Sequence, residues 1–220
     1  MLIYDLGANS GEDTAAYLAA GHEVVAVEPN PALVTTLNAR FAAEIAAGRV
    51  HIEDGALGDP EWPKLFHVSA NDHWSSIDPI WAGRDGLPTT AIEVPTITLP
   101  DLFERYGCPD YIKIDVEGAD RIVLEQLLGD KRRPGLVSVE DCRFGPTYLD
   151  ILAACGYTGF KLSEQSRLPP GTSGPFGEDL PGPWLTIDEM RALYAEVVRD
   201  GGMKMAPTGV YFDIHAKLGR

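Results

Sequence analysis

Short apolar runs of β character alternate along the chain with stretches of helical spacing. The runs are Leu2 to Leu6, Glu23 to Glu28, Arg49 to Glu53, Ala91 to Leu99, Tyr111 to Asp115, Leu136 to Glu140 and Tyr157 to Leu162, and the closing stretch Gly209 to Ala216 has the same character. Helices are predicted from Glu12, from Pro31, and over Leu99 to Tyr106, Asp120 to Leu128 and Thr147 to Ala154. Asn30 ahead of Pro31 supplies an N-cap and a proline at the first helical position. Thr186 and Glu189 have the spacing of a capping box, which predicts a helix over Ile187 to Arg199. Strands alternating with helices predict a parallel sheet in a doubly wound, Rossmann-like α/β domain. Two segments break the alternation. Residues 61–90 carry Trp62, His67, His73, Trp74 and Trp81, and residues 163–184 hold the proline- and glycine-rich stretches from Leu168 and from Leu180. Both are expected to cover a cleft. With no internal repeat and no linker, residues 1–220 read as one domain.

Composition narrows the function classes. A chain of 220 residues with 45% hydrophobic content can bury one substantial core. Its formal net charge of -15 repels phosphate backbones and anionic membranes, so neither nucleic acid nor a membrane is an expected partner. The longest basic run, Lys131-Arg132-Arg133, follows a predicted helix and reads as a favourable charge at its C-terminus. Cys108, Cys142 and Cys155 are odd in number and widely spaced, without a zinc pattern, which suits a reducing cytoplasm. Asp5 interrupts the first apolar run well short of the roughly 7–15 residues of a signal h-region.

Candidate chemistry collects at the ends of the predicted strands. Asp5-Leu6-Gly7-Ala8-Asn9-Ser10-Gly11 ends a β run and opens a helix, where glycine allows a sharp turn and close ligand approach. It lacks the Gly-x-Gly-x-x-Gly spacing that seats a dinucleotide pyrophosphate, and an acid ahead of the glycine suits a ligand bearing an ammonium group. Glu28 ends the second strand, where a carboxylate can accept from both ribose hydroxyls, and Asp54-Gly55-Ala56 forms a small-residue loop after the third that suits an adenine edge. In Tyr111-Ile112-Lys113-Ile114-Asp115-Val116-Glu117-Gly118, alternation places Tyr111, Lys113 and Asp115 on one face. A lysine inside a central strand needs a partner, with Glu140 or Asp5 the candidates, and an internal ion pair is expected rather than catalysis by Lys113.

Together the stretches Asp5 to Gly11, Glu28-Pro29-Asn30-Pro31, Ser75-Ser76-Ile77 and Lys113 to Gly118 closely resemble the FkbM family of S-adenosylmethionine-dependent methyltransferases, over about Leu2 to Glu140. Ile77 stands where the family commonly has leucine, and Pro100 where it often has aspartate. The resemblance implies the class I methyltransferase fold, a mostly parallel seven-stranded sheet with an antiparallel edge strand. It implies S-adenosylmethionine as cofactor, held by Asp5, Gly7, Asn9, Ser10 and Gly11 at the methionine end, by Glu28 and Pro29 at the ribose, and by Asp54, Gly55 and Ala56 at the adenine. It also implies transfer to a hydroxyl of a small-molecule acceptor such as a sugar or polyketide. The chain starts at the first strand, so cover for the acceptor is expected from the two insertions or from a second subunit in a homodimer.

Methyl transfer to an alcohol gains from a general base, worth about 10²–10⁴-fold. Asp115 is the first candidate, with Glu117, Glu140, Asp141 and His73 also placed to serve. The same carboxylates suit Mg²⁺ or Ca²⁺, but the neighbouring lysine favours internal pairing and no metal is expected. Trp74, Trp81 and Trp184 read equally as acceptor-pocket walls or as anchors of loops to the core. Two further readings stay open: a catalytically silent domain that binds the cofactor or a protein, and, against the missing glycine fingerprint, an NAD-dependent oxidoreductase.

Overall fold

In the computed structural model the described residues are 1–61, 65–141, 144–165, 180, 182–197 and 211–219. The chain opens β1 (Leu2–Leu6), α1 (Glu12–Ala19), β2 (Glu23–Glu28), α2 (Pro31–Arg40), α3 (Ala42–Ala46), β3 (Val50–Asp54) and β4 (Ala56–Leu57). The first insertion follows with β5 (Leu65–Ser69), α4 (Pro79–Ala82), β6 (Thr89–Glu93) and β7 (Thr96–Ile97). The rest is α5 (Leu99–Tyr106), β8 (Tyr111–Ile114), α6 (Asp120–Gly129), β9 (Leu136–Glu140), α7 (Gly145–Ala154), β10 (Tyr157–Glu164), α8 (Ile187–Val197) and β11 (Phe212–Leu218).

Seven strands form the main sheet in the order β10-β11-β9-β8-β1-β2-β3. Pairing is parallel from β9 through β8, β1 and β2 to β3, and β11 runs antiparallel to both β9 and β10. The reversed strand is present as expected, one place in from the edge, with β10 outside it. A correction concerns Ala91 to Leu99, expected as one strand. It divides into β6, which pairs with β5, and β7, which pairs with β4, so neither joins the main sheet. Pro95 lacks the N–H that an uninterrupted ladder needs, and the run breaks there. The predicted caps are realised in side-chain bonds: Asn30 accepts from the Ala32 N–H, and Thr186 and Glu189 form reciprocal contacts. Thr98 and Asp101 build a second capping box that starts α5 with Pro100 inside its first turn, a role for that proline within the helix start.

Alternation along the strands sorts the core onto two faces. Tyr4, Leu6, Val25, Val27, Ile112 and Ile114 pack with residues of α5, α6 and α7, while Ile3, Val24, Ala26 and Tyr111 pack with Tyr17 of α1, Leu37 of α2 and Phe41 just after α2. The basic run closes α6 as read: Arg133 donates to the carbonyl oxygens of Leu127, Leu128 and Asp130. Among the described residues no helix is long and apolar enough to cross a membrane. The stretch from Leu168 in the second insertion lies outside the described residues, as do Trp62 and Cys142.

Strand order reverses at β1, whose neighbours are β2 and β8, so the loops at their C-terminal ends diverge and leave a crevice. Gly7 turns the chain there at φ 90°, and a Cβ on it would sit 1.8 Å from the Asp115 carbonyl oxygen. Gly7→Ala combines a left-handed backbone with a backbone clash, and is expected to cost about 3 kcal/mol or more in urea unfolding. Unchanged stability would contradict this close approach of β1 and β8.

Candidate active site

Two cavities occupy the crevice. The larger, about 590 Å³, is lined by Gly7, Asn9, Glu28, Pro29, Gly55 and Ala56 on one side, and on the other by Trp74, Trp81, Arg84, Asp115, Glu117 and Glu140 among others. The smaller, about 370 Å³, adjoins it through Gly7, Asn9, His73, Asp115 and Glu140, and is lined further by Ala8, Ser10, Asp13 and Lys113.

Glu28 ends β2 with its residue only 5% exposed, yet its carboxylate has fixed donors. The Asn9 N–H reaches Oε2 at 2.9 Å and the Asn30 N–H reaches Oε1 at 2.8 Å. These bonds fix the carboxylate at the cavity wall. Burial nevertheless lifts its pKa to about 7, against the lowering effect of the two N–H groups. Asn9 sits at φ 48°, a left-handed conformation that asparagine tolerates, with its side-chain oxygen on the Ser10 N–H.

Lys113 stands on the α1 face of β8, beside Asp5 in the sheet register. Its ammonium lies 3.0 Å from both Asp13 and Asp115. Burial alone would lower its pKa, but Asp115, Asp13 and Asp5 hold it well above the ordinary lysine value. The expected internal ion pair is therefore present, with Asp13, the second residue of α1, as the partner the sequence reading lacked. Asp5 acts through space on Lys113 and accepts a hydrogen bond from Thr14. Burial raises Asp5 to about 6, and its Oδ1 has no hydrogen-bond partner.

Asp115 and Glu140 titrate in opposite directions. Against the upward push of burial, Lys113 and a hydrogen bond from Glu140 hold Asp115 below the usual carboxylate range. Glu140 is pushed well above it by burial and by Asp115, Glu117 and Asp213. Of the two, Glu140 is the one that more readily carries a proton. Glu117 accepts from the Trp81 indole at 2.6 Å and from Arg84 at 2.9 Å, both on Oε2. Burial and Asp115 lift it to about 7, with Arg84 opposing. Asp115, Glu117 and Glu140 can each bring a carboxylate oxygen within 4.8 Å of the others, although Lys113 and Arg84 already pair with two of them.

The expected site residues fall into three groups. Gly7, Asn9, Glu28, Pro29, Gly55, Ala56, His73, Asp115, Glu117 and Glu140 all line the larger cavity, and Ser10 lines the smaller. Asp5, Gly11 and Asp54 line neither. Asp5 is sealed beneath the glycine loop, and Gly11 lies against Leu37 and Phe41, where a Cβ would meet both at 2.6 Å. Trp74 and Trp81 join the wall, whereas Trp184 stacks beneath the ammonium groups of Lys161 and Lys217. Arg84 was missed. Its signal was its place in the first insertion three residues after Trp81, and its guanidinium lies over the Trp74 and Trp81 rings at 4.3 and 4.6 Å.

Sheet order, with a reversed strand beside the edge and a crevice at the C-terminal ends of the central strands, is that of the class I methyltransferase fold. The chain belongs to the FkbM methyltransferase family: the family model, described as the methyltransferase FkbM domain, matches residues 5–161. No curated protein sequence matches it. Among solved structures it is similar to a precorrin-6Y C5,15-methyltransferase from Geobacter metallireducens, at 10% identity and TM-score 0.49 over all of this chain and 80% of that one. It is similar to the methyltransferase FkbM of Methylobacillus flagellatus at 17% identity and TM-score 0.47, covering 74% of this chain and 39% of that one. A third similar structure is the [4+2]-cyclase SpnF, at 10% identity and TM-score 0.46 over 99% of this chain and 74% of that one.

The raised carboxyls make stability depend on pH with a definite sign. Asp5 and Asp120 are lifted from 3.8 to about 6, and Glu28 and Glu117 from 4.5 to about 7. Between those values the folded state binds more protons than the unfolded one, so their contribution is full below the unfolded values and is lost as pH rises through 6 to 7. Asp115 works oppositely, losing its contribution only in more acidic solution. The thermal midpoint should be higher near pH 5.5 than near pH 8, by about 5 °C. A midpoint that climbs across this interval would show that these carboxyls are not raised.

Proposed function

We propose that the protein transfers the methyl group of S-adenosylmethionine to a hydroxyl oxygen of a small molecule. The observation that carries the reading is Glu28. A buried carboxylate held by two backbone N–H groups at a strand end, beside a glycine loop and facing a cavity, suits a ribose diol. The residues fit the cofactor along its length. Gly55, Ala56 and Leu57 offer small and apolar surface for an adenine edge, and Pro29 lies beside the ribose position. Asn9, Ser10 and the acids around the smaller cavity suit the charged methionine end. Gly7 leaves room where a Cβ would close the passage between strands.

When bound, the cofactor supplies a methyl already activated on a sulfonium, so the protein's task is chiefly positioning. Asp115 takes the acceptor's proton. Lys113 keeps it ionised at neutral pH, and Glu140, itself protonated, donates a hydrogen bond that fixes its orientation. A weak base suffices, because the hydroxyl proton becomes acidic as the new carbon–oxygen bond forms. Trp74, Phe66 and Ile77 give the acceptor half of the cavity apolar surface, suited to a partly apolar polyol rather than a highly charged molecule.

Calorimetry with S-adenosylmethionine tests the cofactor reading. The wild type should bind at one site, and Glu28→Ala should weaken binding about 100-fold through loss of hydrogen bonds to a charged acceptor. A folded wild type that does not bind would sink the proposal. With an acceptor found among hydroxylated sugars and polyketides, Asp115→Asn should lower kcat about 10²–10⁴-fold with little change in cofactor affinity. Unchanged kcat would move the base elsewhere, with His73 on the cavity rim the next residue to change.

A further inference from the structure

Residues 65–93 are held differently from the body of the domain. β5 and β6 pair with each other, an isolated bridge joins His67 to Ser76, and Phe66 packs with Ala56 and Val94 in a small cluster flanked by Val68, Ile77 and Ile92. That cluster is separate from both cores of the main sheet. The segment leaves the body after β4 and returns at β7, and these strands pair in parallel, Ala56 with Thr96 and Leu57 with Ile97. Both ends of the insertion are thereby clamped together, which lets what lies between them move as one unit.

Three hydrogen bonds run from this unit to the loop after β8, and all three end on Glu117. Ser76 Oγ donates to its carbonyl at 2.6 Å, and Trp81 and Arg84 both donate to Oε2. Arg84 lies over the Trp74 and Trp81 rings, and the Trp81 ring comes within 3.5 Å of where a Cβ on Gly118 would stand. Glu117 adopts φ 49°, a left-handed conformation that is strained for a non-glycine residue and that its surroundings must enforce. Its side chain is 17% exposed and that of Arg84 is 20%, so the charge-assisted bonds are partly shielded from water. Breaking them removes the Glu117 Oε2 acceptor that the Trp81 indole and the Arg84 guanidinium share.

We propose that residues 71–87 form a hinged cover over the acceptor half of the cavity, and that Glu117 is the positioning residue that latches it shut. Trp74, Ser75, Ile77, Trp81 and Arg84 of this stretch line the cavity opposite Gly7 and Asn9, so closing the latch completes the wall. Glu117 therefore acts through Trp81 and Arg84 and leaves proton removal to Asp115. Calling this half the acceptor's rests on the proposed function; the latch itself does not.

Hydrogen exchange read by mass spectrometry on the full chain tests the latch without any ligand. Glu117→Gln keeps an acceptor for Trp81 and loses the charge facing Arg84, and Glu117→Ala loses both. Exchange in peptides covering 71–87 should accelerate about tenfold in the first and further in the second, while β1, β2 and β8 keep their wild-type rates. Unchanged rates in 71–87 would overturn the latch, as would a uniform rise across the sheet, which would mark general destabilisation. Calorimetry with S-adenosylhomocysteine on the same variants should give affinities within about threefold of wild type. A large loss of affinity would overturn the placement over the acceptor half. Failure of the wild type itself to bind would strike the proposed function and leave the exchange result standing.

Discussion

The ammonium of Lys113 is the interaction on which the site end of the sheet depends. β1, α1 and β8 each bring a carboxylate to it: Asp5, Asp13 and Asp115. Without a central cation these acids would repel one another just where β1 and β8 must close to the distance that Gly7 allows. Removing the lysine from such a group typically costs about 3–5 kcal/mol, because the carboxylates left behind lose the cation they share. Stability and chemistry share this arrangement, since the charge that lets three elements meet also keeps Asp115 ionised at the cavity.

The site divides into halves of different construction. Glu28, the glycine loop and Asp115 stand at or just beyond the ends of adjacent parallel strands, whose apolar faces are buried in the main cores. That half has little freedom to adjust, which suits a ligand of fixed shape. The opposite half hangs on the small cluster around Phe66 and on bonds to Glu117. Polar attachments of this kind open at lower cost than a packed core does, and binding surfaces that must admit a substrate are commonly built from such elements.

The alternation of apolar runs made the main sheet legible, because parallel strands buried on both faces read as short apolar segments whatever their neighbours. Alternation also placed Tyr111, Lys113 and Asp115 on one face, as the structure has them. The Ala91 to Leu99 run misled because strand character says nothing about which partner a strand takes. β6 and β7 found theirs inside the insertion and at its root. The glycine loop was visible because the backbone turns with positive φ at Gly7 and Gly11, and Glu28 because a carboxylate there ends an apolar strand. Asp13 and Arg84 were not, since each acquires its role from a partner 100 and 33 positions away along the chain. Ser76 illustrates the same limit: it was recognised in a motif, but its bond to the Glu117 carbonyl is a tertiary fact.

Charge links these halves to the proposed reaction. The larger cavity is lined by Glu28, Asp72, Asp115, Glu117, Glu140 and Asp141 against Arg84 as the lining arginine. Two adjacent carboxylates at the same site do not both ionise without penalty, and their opposite shifts, Glu140 upward and Asp115 downward, divide that penalty. On the proposed reading, such a wall would hold a sulfonium more strongly than a neutral thioether. On that reading, the acids that make the crevice costly to fold would favour cofactor binding before transfer over binding after it.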